Sequence, residues 1–319
     1  MQLTRSGLSR LALGAALAVG LASPSFAADI KNVGITVGSL GNPYFAATDK
    51  GIQAKAKEIT PDAHLTAVSS DYDLNKQFTQ IDNFIAAGDS IIMLNAVDPV
   101  AILPAVKKAQ AAGIVIAGFD VAATGADITV MTDNVKAGEI ACQYIVDHLP
   151  GKKGNVIIIN GPQVSSIVDR VKGCHQALAT APDIKILSDN QNGQASRDGG
   201  FAVGQSMLTR YPQIDAVFAI NDPTAIGFSL AAKQQNRKDL FITSVDGAPD
   251  IVGEIANKDG MIKASAAQDP YGMAAQAYEI AVGIVGGKKP ANNVILLAPT
   301  LITADNVASY KGWDPTAAK

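Results

Sequence analysis

The chain is short of the residues on which enzymes most often rely. Histidine occurs three times in 319 residues, as His64, His148 and His175, and none is spaced from another as a metal pair or set beside an evident nucleophile. The motifs G-x-S-x-G, H-E-x-x-H and G-x-x-x-x-G-K-[ST] are absent, and the turn after the first strand-like run lacks G-x-G-x-x-G. Hydrolase, zinc-protease, phosphate-loop and dinucleotide signatures are therefore missing, and neither a metal nor a cofactor is expected. Cysteine is scarcer still, with Cys142 and Cys174 alone. Long apolar runs are lacking too: Leu11 to Leu21 covers eleven residues with no comparable run after it, well short of the roughly twenty that span a bilayer. No Ser/Gly or Pro tract marks a linker.

That single apolar run reads as part of an export signal. Arg5 and Arg10 supply its basic start and Ser25-Phe26-Ala27 a small-x-small cleavage site, so residues 1–27 are expected to be removed. No cysteine follows the cleavage site, which argues against a lipid anchor and for release into the periplasm. Cleavage takes away two arginines and no acid, so 26 basic residues become 24 against 29 acidic ones, a net charge of −5. That balance argues against nucleic acid as a partner. In an oxidising compartment Cys142 and Cys174, on successive predicted helices, can form a disulfide or remain two buried thiols; both readings stand at this level.

The remaining residues suit two domains of about 140 residues each. Short β-rich runs at Val33 to Val37, Leu65 to Val68, Ile91 to Leu94, Ile114 to Phe119 and Ile128 to Met131 alternate with helical spacing, as at Leu74, Phe78, Ile81 and Ile85. A second set follows at Val156 to Ile159, Ile184 to Leu187, Val217 to Ile220, Phe241 to Val245 and Ile262 to Ala266. Continuous apolar strands between amphipathic helices predict an α/β fold of two similar lobes, each a parallel sheet covered on both faces.

Several helix starts are marked by a capping residue before proline: Asn42-Pro43, Asp98-Pro99, Asp222-Pro223 and Asp269-Pro270. Capping assigns Asp98, Asp222 and Asp269 a local role and leaves their neighbours Asn221 and Gln268 without one. Three apolar runs end on a polar group, at Asp120, Asn221 and Asp246. A turn-forming aspartate is the plain reading of Asp120 and Asp246. Ligands of parallel sheets, however, bind beyond the carboxyl ends of the strands, where these groups collect. Asn42, Tyr44 and Phe45 join them after the first strand, and aromatic faces beside hydrogen-bonding groups suit the faces of a sugar ring. A sugar-modifying enzyme using Asp120 and Asp246 as paired acids is the competing reading.

With GSLGNPYF after the first strand, VMTDNVKAGE near Asp133, AVFAINDPTAIG at Asn221 and SVDGAPD at Asp246, the chain resembles the periplasmic substrate-binding proteins of sugar ABC transporters, in their ribose-binding-protein-like, type I group. The resemblance runs from about Asp29 to Trp313. It implies two Rossmann-like lobes joined by three hinge crossings, near Thr132 to Asp133, Gln268 to Asp269 and Leu297 to Pro299. The lobes would comprise residues 28–132 with 269–297, and 133–268 with 298–319.

By the same resemblance Asn42, Tyr44, Phe45 and Asp120 match ligand contacts of the first lobe, and Arg170, Asn221, Asp246 and Gln268 those of the second. Taken by itself Arg170 would read as an exposed helix charge. Val121 stands where ribose binders carry arginine, and Gln194 where an aromatic often stacks, which points away from D-ribose toward another pentose, a deoxy or branched sugar, or a linear polyol. The implied partners are that small molecule and an inner-membrane ABC permease, with a chemoreceptor or sensor kinase as an alternative listener. A monomer is expected.

Overall fold

The computed structural model describes residues 30–313; the export-signal reading at residues 1–27 lies outside them. The chain builds two six-stranded sheets. The first contains β1 (Asn32–Val37), β2 (His64–Ser69), β3 (Ile91–Leu94), β4 (Val115–Phe119), β5 (Ile128–Thr132) and β11 (Val294–Leu297), ordered β11-β5-β4-β3-β1-β2. The second contains β6 (Gly154–Asn160), β7 (Ile184–Asn192), β8 (Ala216–Ala219), β9 (Phe241–Asp246), β10 (Ile262–Ala267) and β12 (Thr300–Thr303), ordered β12-β10-β9-β8-β6-β7. Pairing is parallel except where β12 meets β10.

Of the four edge strands, β2, β7, β11 and β12, the last two lie outside the runs expected from sequence. Each of these two has four residues, and Val294 and Leu296 of β11 are half exposed. In the interior, by contrast, all four residues of β3 and of β8 are buried, which is why those strands read as unbroken apolar runs.

Helices α1 (Pro43–Ile59), α2 (Leu74–Ala87) and α3 (Leu103–Ala111) follow the strands of the first sheet. After β5 the chain passes to the second sheet, where α4 (Asn134–His148), α5 (Ser165–Leu178), α6 (Arg197–Arg210), α7 (Asp222–Gln234) and α8 (Pro249–Ala256) lie. It returns between β10 and α9 (Pro270–Val285), which packs on α1, β4 and β5, and passes over again between β11 and β12. One apolar cluster fills the space beneath α1 and α9, and another the outer face of the second sheet. A third is continuous from α2 and α3 through Val121 and Ala123 to α4 and α5.

Asn42 and Asp269 cap α1 and α9, accepting from the Tyr44 and Gly272 amides at 3.0 and 2.8 Å. Two other starts differ from expectation. Asp98 accepts from the Val100 and Ala101 amides in a turn, and α3 begins only at Leu103. At α7 the cap is Asn221, which accepts from the Thr224 amide at 3.1 Å. Asp222 instead turns inward, fully buried, and accepts from the Ser244 and Ser265 hydroxyls and the Ala248 amide. A buried carboxylate must be compensated, and these three donors do so while tying α7 to β9 and β10.

Helices α4 and α5 approach unusually closely. A Cβ on Gly138 would strike the Arg170 carbonyl, and one on Gly173 the Val135 carbonyl. Cys142 and Cys174 are joined as a disulfide across this pair, with Cα atoms 5.0 Å apart.

Candidate ligand-binding site

The carboxyl ends of both sets of strands face one cleft. At its floor is a cavity of about 40 Å³ lined by Asn42, Tyr44, Phe45, Tyr72 and Asp120 from the first lobe, and by Ser166, Ile167, Arg170, Ala195, Asn221 and Asp246 from the second. Asn42, Tyr72 and Ala195 also border a vestibule of about 500 Å³, whose walls include Gln194, Arg197 and Asp250.

Arg170 is delivered by α5, whose glycine-mediated contact with α4 lets its guanidinium cross the lobe's interior. It donates from Nε to Asn134 Oδ1 at 2.9 Å, and from one terminal nitrogen to the Ile220 carbonyl at 2.8 Å and to Asp246 Oδ1 at 3.2 Å. Asp246 also accepts from Gln268 Nε2 at 2.7 Å, and Gln268 Oε1 in turn accepts from the Tyr44 hydroxyl at 3.3 Å. Across the cleft Asp120 accepts from Asn95 Nδ2 at 2.8 Å, and Asn95 is fixed through its own oxygen by the Gly38 amide.

Three buried carboxyls, Asp120, Asp222 and Asp246, thus surround one buried guanidinium. Burial raises the Asp246 pKa, Arg170 and Gln268 counter it, and the nearby acids Asp222 and Asp120 raise it further. Asp120 is raised by burial against the opposing pull of Arg170, Tyr44 and Asn95. The Tyr44 phenol is pushed well above its usual range, by burial first and then by Asp120 and Asp246. Both cavity carboxylates also sit on backbone with positive φ, 65° at Asp120 and 134° at Asp246. Such conformations cost about 1–3 kcal/mol each and concentrate at ligand sites.

Among the residues singled out from sequence, Asn42, Tyr44, Phe45, Asp120, Arg170, Asn221 and Asp246 line the inner cavity together. Gln268 stands behind them, bonded to two of the lining residues. Gln194 is exposed in the vestibule wall, and Val121 is buried in the continuous apolar cluster. Asn221 gives its side-chain oxygen to the α7 cap and its amide to the Ala195 carbonyl at 3.1 Å. Tyr72, Ser166, Ile167 and Ala195 were not predicted from sequence, nor was the supporting Asn95. Asn95 follows the apolar run Ile91 to Leu94 and so carries the signature that marked Asp120.

These groups offer fixed acceptors from both lobes, one charged donor and aromatic walls. Among the described residues no group of His, Cys, Asp and Glu could hold a metal ion. A periplasmic binding protein domain matches residues 33–289. The chain belongs to the periplasmic binding protein family. Among its relatives, the ribose import binding protein of Bacillus subtilis (strain 168) is 33% identical over 261 residues, 81% of this chain and 82% of that protein. A xylitol-binding protein of Mycolicibacterium smegmatis is 30% identical over 308 residues, covering 93% and 86% of the two chains. The crystal structure of a galactofuranose binding protein superposes with a TM-score of 0.82 at 26% identity, over 88% of this chain and 96% of that one. The two-lobed α/β architecture is that of the type I periplasmic binding proteins.

Proposed function

We propose that this protein captures a monosaccharide or sugar alcohol between its lobes in the periplasm and presents the closed complex to an ABC permease. The observation that carries this reading is the division of the cavity. Asp120 and Tyr44 come from one lobe, Asp246 and Arg170 from the other, and all four are buried. A polyhydroxyl ligand donates to the carboxylates, accepts from the guanidinium and sets its apolar face on Tyr44 or Phe45. Because each lobe holds half of these groups, ligand favours the closed arrangement by interacting more strongly with it than with the open one. Relatives are named for ribose, xylitol and D-apiose, polyhydroxyl compounds whose hydroxyls match the hydrogen-bonding groups of this lining. Val121 supplies no charged fork beside Asp120, so Arg170 carries the cationic recognition. The relatives are named as import or binding proteins and not as enzymes, which supports capture without chemical change.

A thermal-shift screen with D-ribose, xylitol, D-apiose, D-allose and myo-inositol tests the reading. A compound present at 100 times its dissociation constant stabilises the fold by about 2.7 kcal/mol, a rise of several degrees. At least one should do so and be recovered unchanged after prolonged incubation. A flat response to all five, or a modified sugar, would overturn it.

A further inference from the structure

Trp313 lies outside every regular element and outside the cavity lining, yet it is 3% exposed. Its ring sits in the apolar cluster of the first lobe, edge-on to Tyr44 with centroids 5.5 Å apart. Its indole Nε1–H donates to the Asp246 carbonyl at 2.8 Å, at the end of β9 in the second lobe. A few residues upstream, Tyr310 packs against the second lobe's apolar cluster and donates to the Gly247 carbonyl at 2.9 Å. The segment after β12 therefore runs back across the cleft's hinge side, and its two aromatics hold successive carbonyls.

Those two carbonyls belong to residues with consecutive positive φ, 134° at Asp246 and 70° at Gly247. Backbone of this kind persists only when its surroundings impose it, and its setting decides where the Asp246 carboxylate points. The Asp246 carbonyl accepts from the Gln268 amide at 3.0 Å as well as from Trp313, and the Gly247 amide donates to Ser265 at 3.1 Å. Trp313, like Gln268, also touches Tyr44 in the cavity wall of the opposite lobe, Gln268 through the phenol hydroxyl and Trp313 through the ring.

We infer that Trp313 is a positioning residue for ligand capture: its indole aims the Asp246 carboxylate and couples that aim to the Tyr44 wall, so that the two halves of the site come into register together. The affinity consequence rests on the sugar-capture reading; the backbone consequence does not.

Trp313→Phe keeps an aromatic ring and deletes the N–H, and Tyr310→Phe removes one hydroxyl and leaves every ring in place. By hydrogen–deuterium exchange of the ligand-free protein, Trp313→Phe should speed exchange at the Gly247 and Gln268 amides while β6 keeps its protection. Tyr310→Phe should do the same at Gly247, and decides the matter if the tryptophan variant fails to fold. By calorimetry, whichever of D-ribose, xylitol, D-apiose, D-allose or myo-inositol binds the wild type should bind Trp313→Phe about 5–10-fold more weakly, the worth of one hydrogen bond. Trp313 is the only tryptophan in the sequence, so indole emission of the wild type should also change on titration with that compound. Unchanged exchange at Gly247 and Gln268, or unchanged affinity, overturns the inference. If none of the five binds the wild type, the sugar reading falls and the exchange result alone judges Trp313.

Discussion

Arg170 and Asp246 meet at 3.2 Å inside the cleft with side chains 5% and 4% exposed. A pair this buried is worth little against an apolar replacement of both partners, but removing one partner strands the other and costs about 3–5 kcal/mol. Asp246→Ala also leaves ligand hydroxyls without a partner when the lobes close, a loss of about 1–3 kcal/mol, so sugar or polyol binding is expected to weaken by roughly 10–100-fold. The fold should survive, because the guanidinium keeps Asn134 and the Ile220 carbonyl. Titration calorimetry with the compound selected by thermal shift measures the loss, and circular dichroism checks the fold.

Burial, outweighing Arg170, holds the Asp246 carboxyl above its ordinary pKa. Such a group keeps a proton in the fold that the unfolded chain has released at about 3.9. Its contribution to stability is intact below that value and is lost as pH rises through the folded pKa. Asp246→Asn cannot ionise, so the melting temperature of the variant minus that of the wild type should move in the variant's favour between about pH 4.5 and 8.5. Parallel melting curves across that range would show that the carboxyl is not raised.

The disulfide closes a loop of 32 residues within the second lobe, for which chain entropy predicts a stabilisation of about 3–4 kcal/mol. Replacing both cysteines with alanine should lower the guanidinium unfolding free energy by roughly this amount. Dithiothreitol should have a similar effect on the wild type and none on the double variant.

What could be read from sequence divides by the range of the interactions involved. Strand burial and helix caps are local, so the alternating architecture and the polar strand ends at Asp120, Asn221 and Asp246 were legible. Arg170 was not legible by itself, because a lone cation on a helix carries no local sign of crossing a lobe; only resemblance to a family pointed to it. The exchange of roles between Asn221 and Asp222 was hidden for a related reason. Both residue types cap helices well and proline follows closely, so only the position of Ser244 and Ser265 in space shows which one turns inward. Trp313 lies furthest from reach, since its burial rests on Tyr44 and Asp246, far upstream in the chain.

The order in which strands enter the sheets has a consequence for biogenesis. The first sheet lacks its edge partner for β5 until Val294–Leu297 is made, and β10 in the second waits for Thr300–Thr303. A nascent or truncated chain ending before these segments leaves both strands with open backbone edges, which invite pairing with other chains. Each sheet therefore receives its last strand only after the chain has crossed from the other sheet.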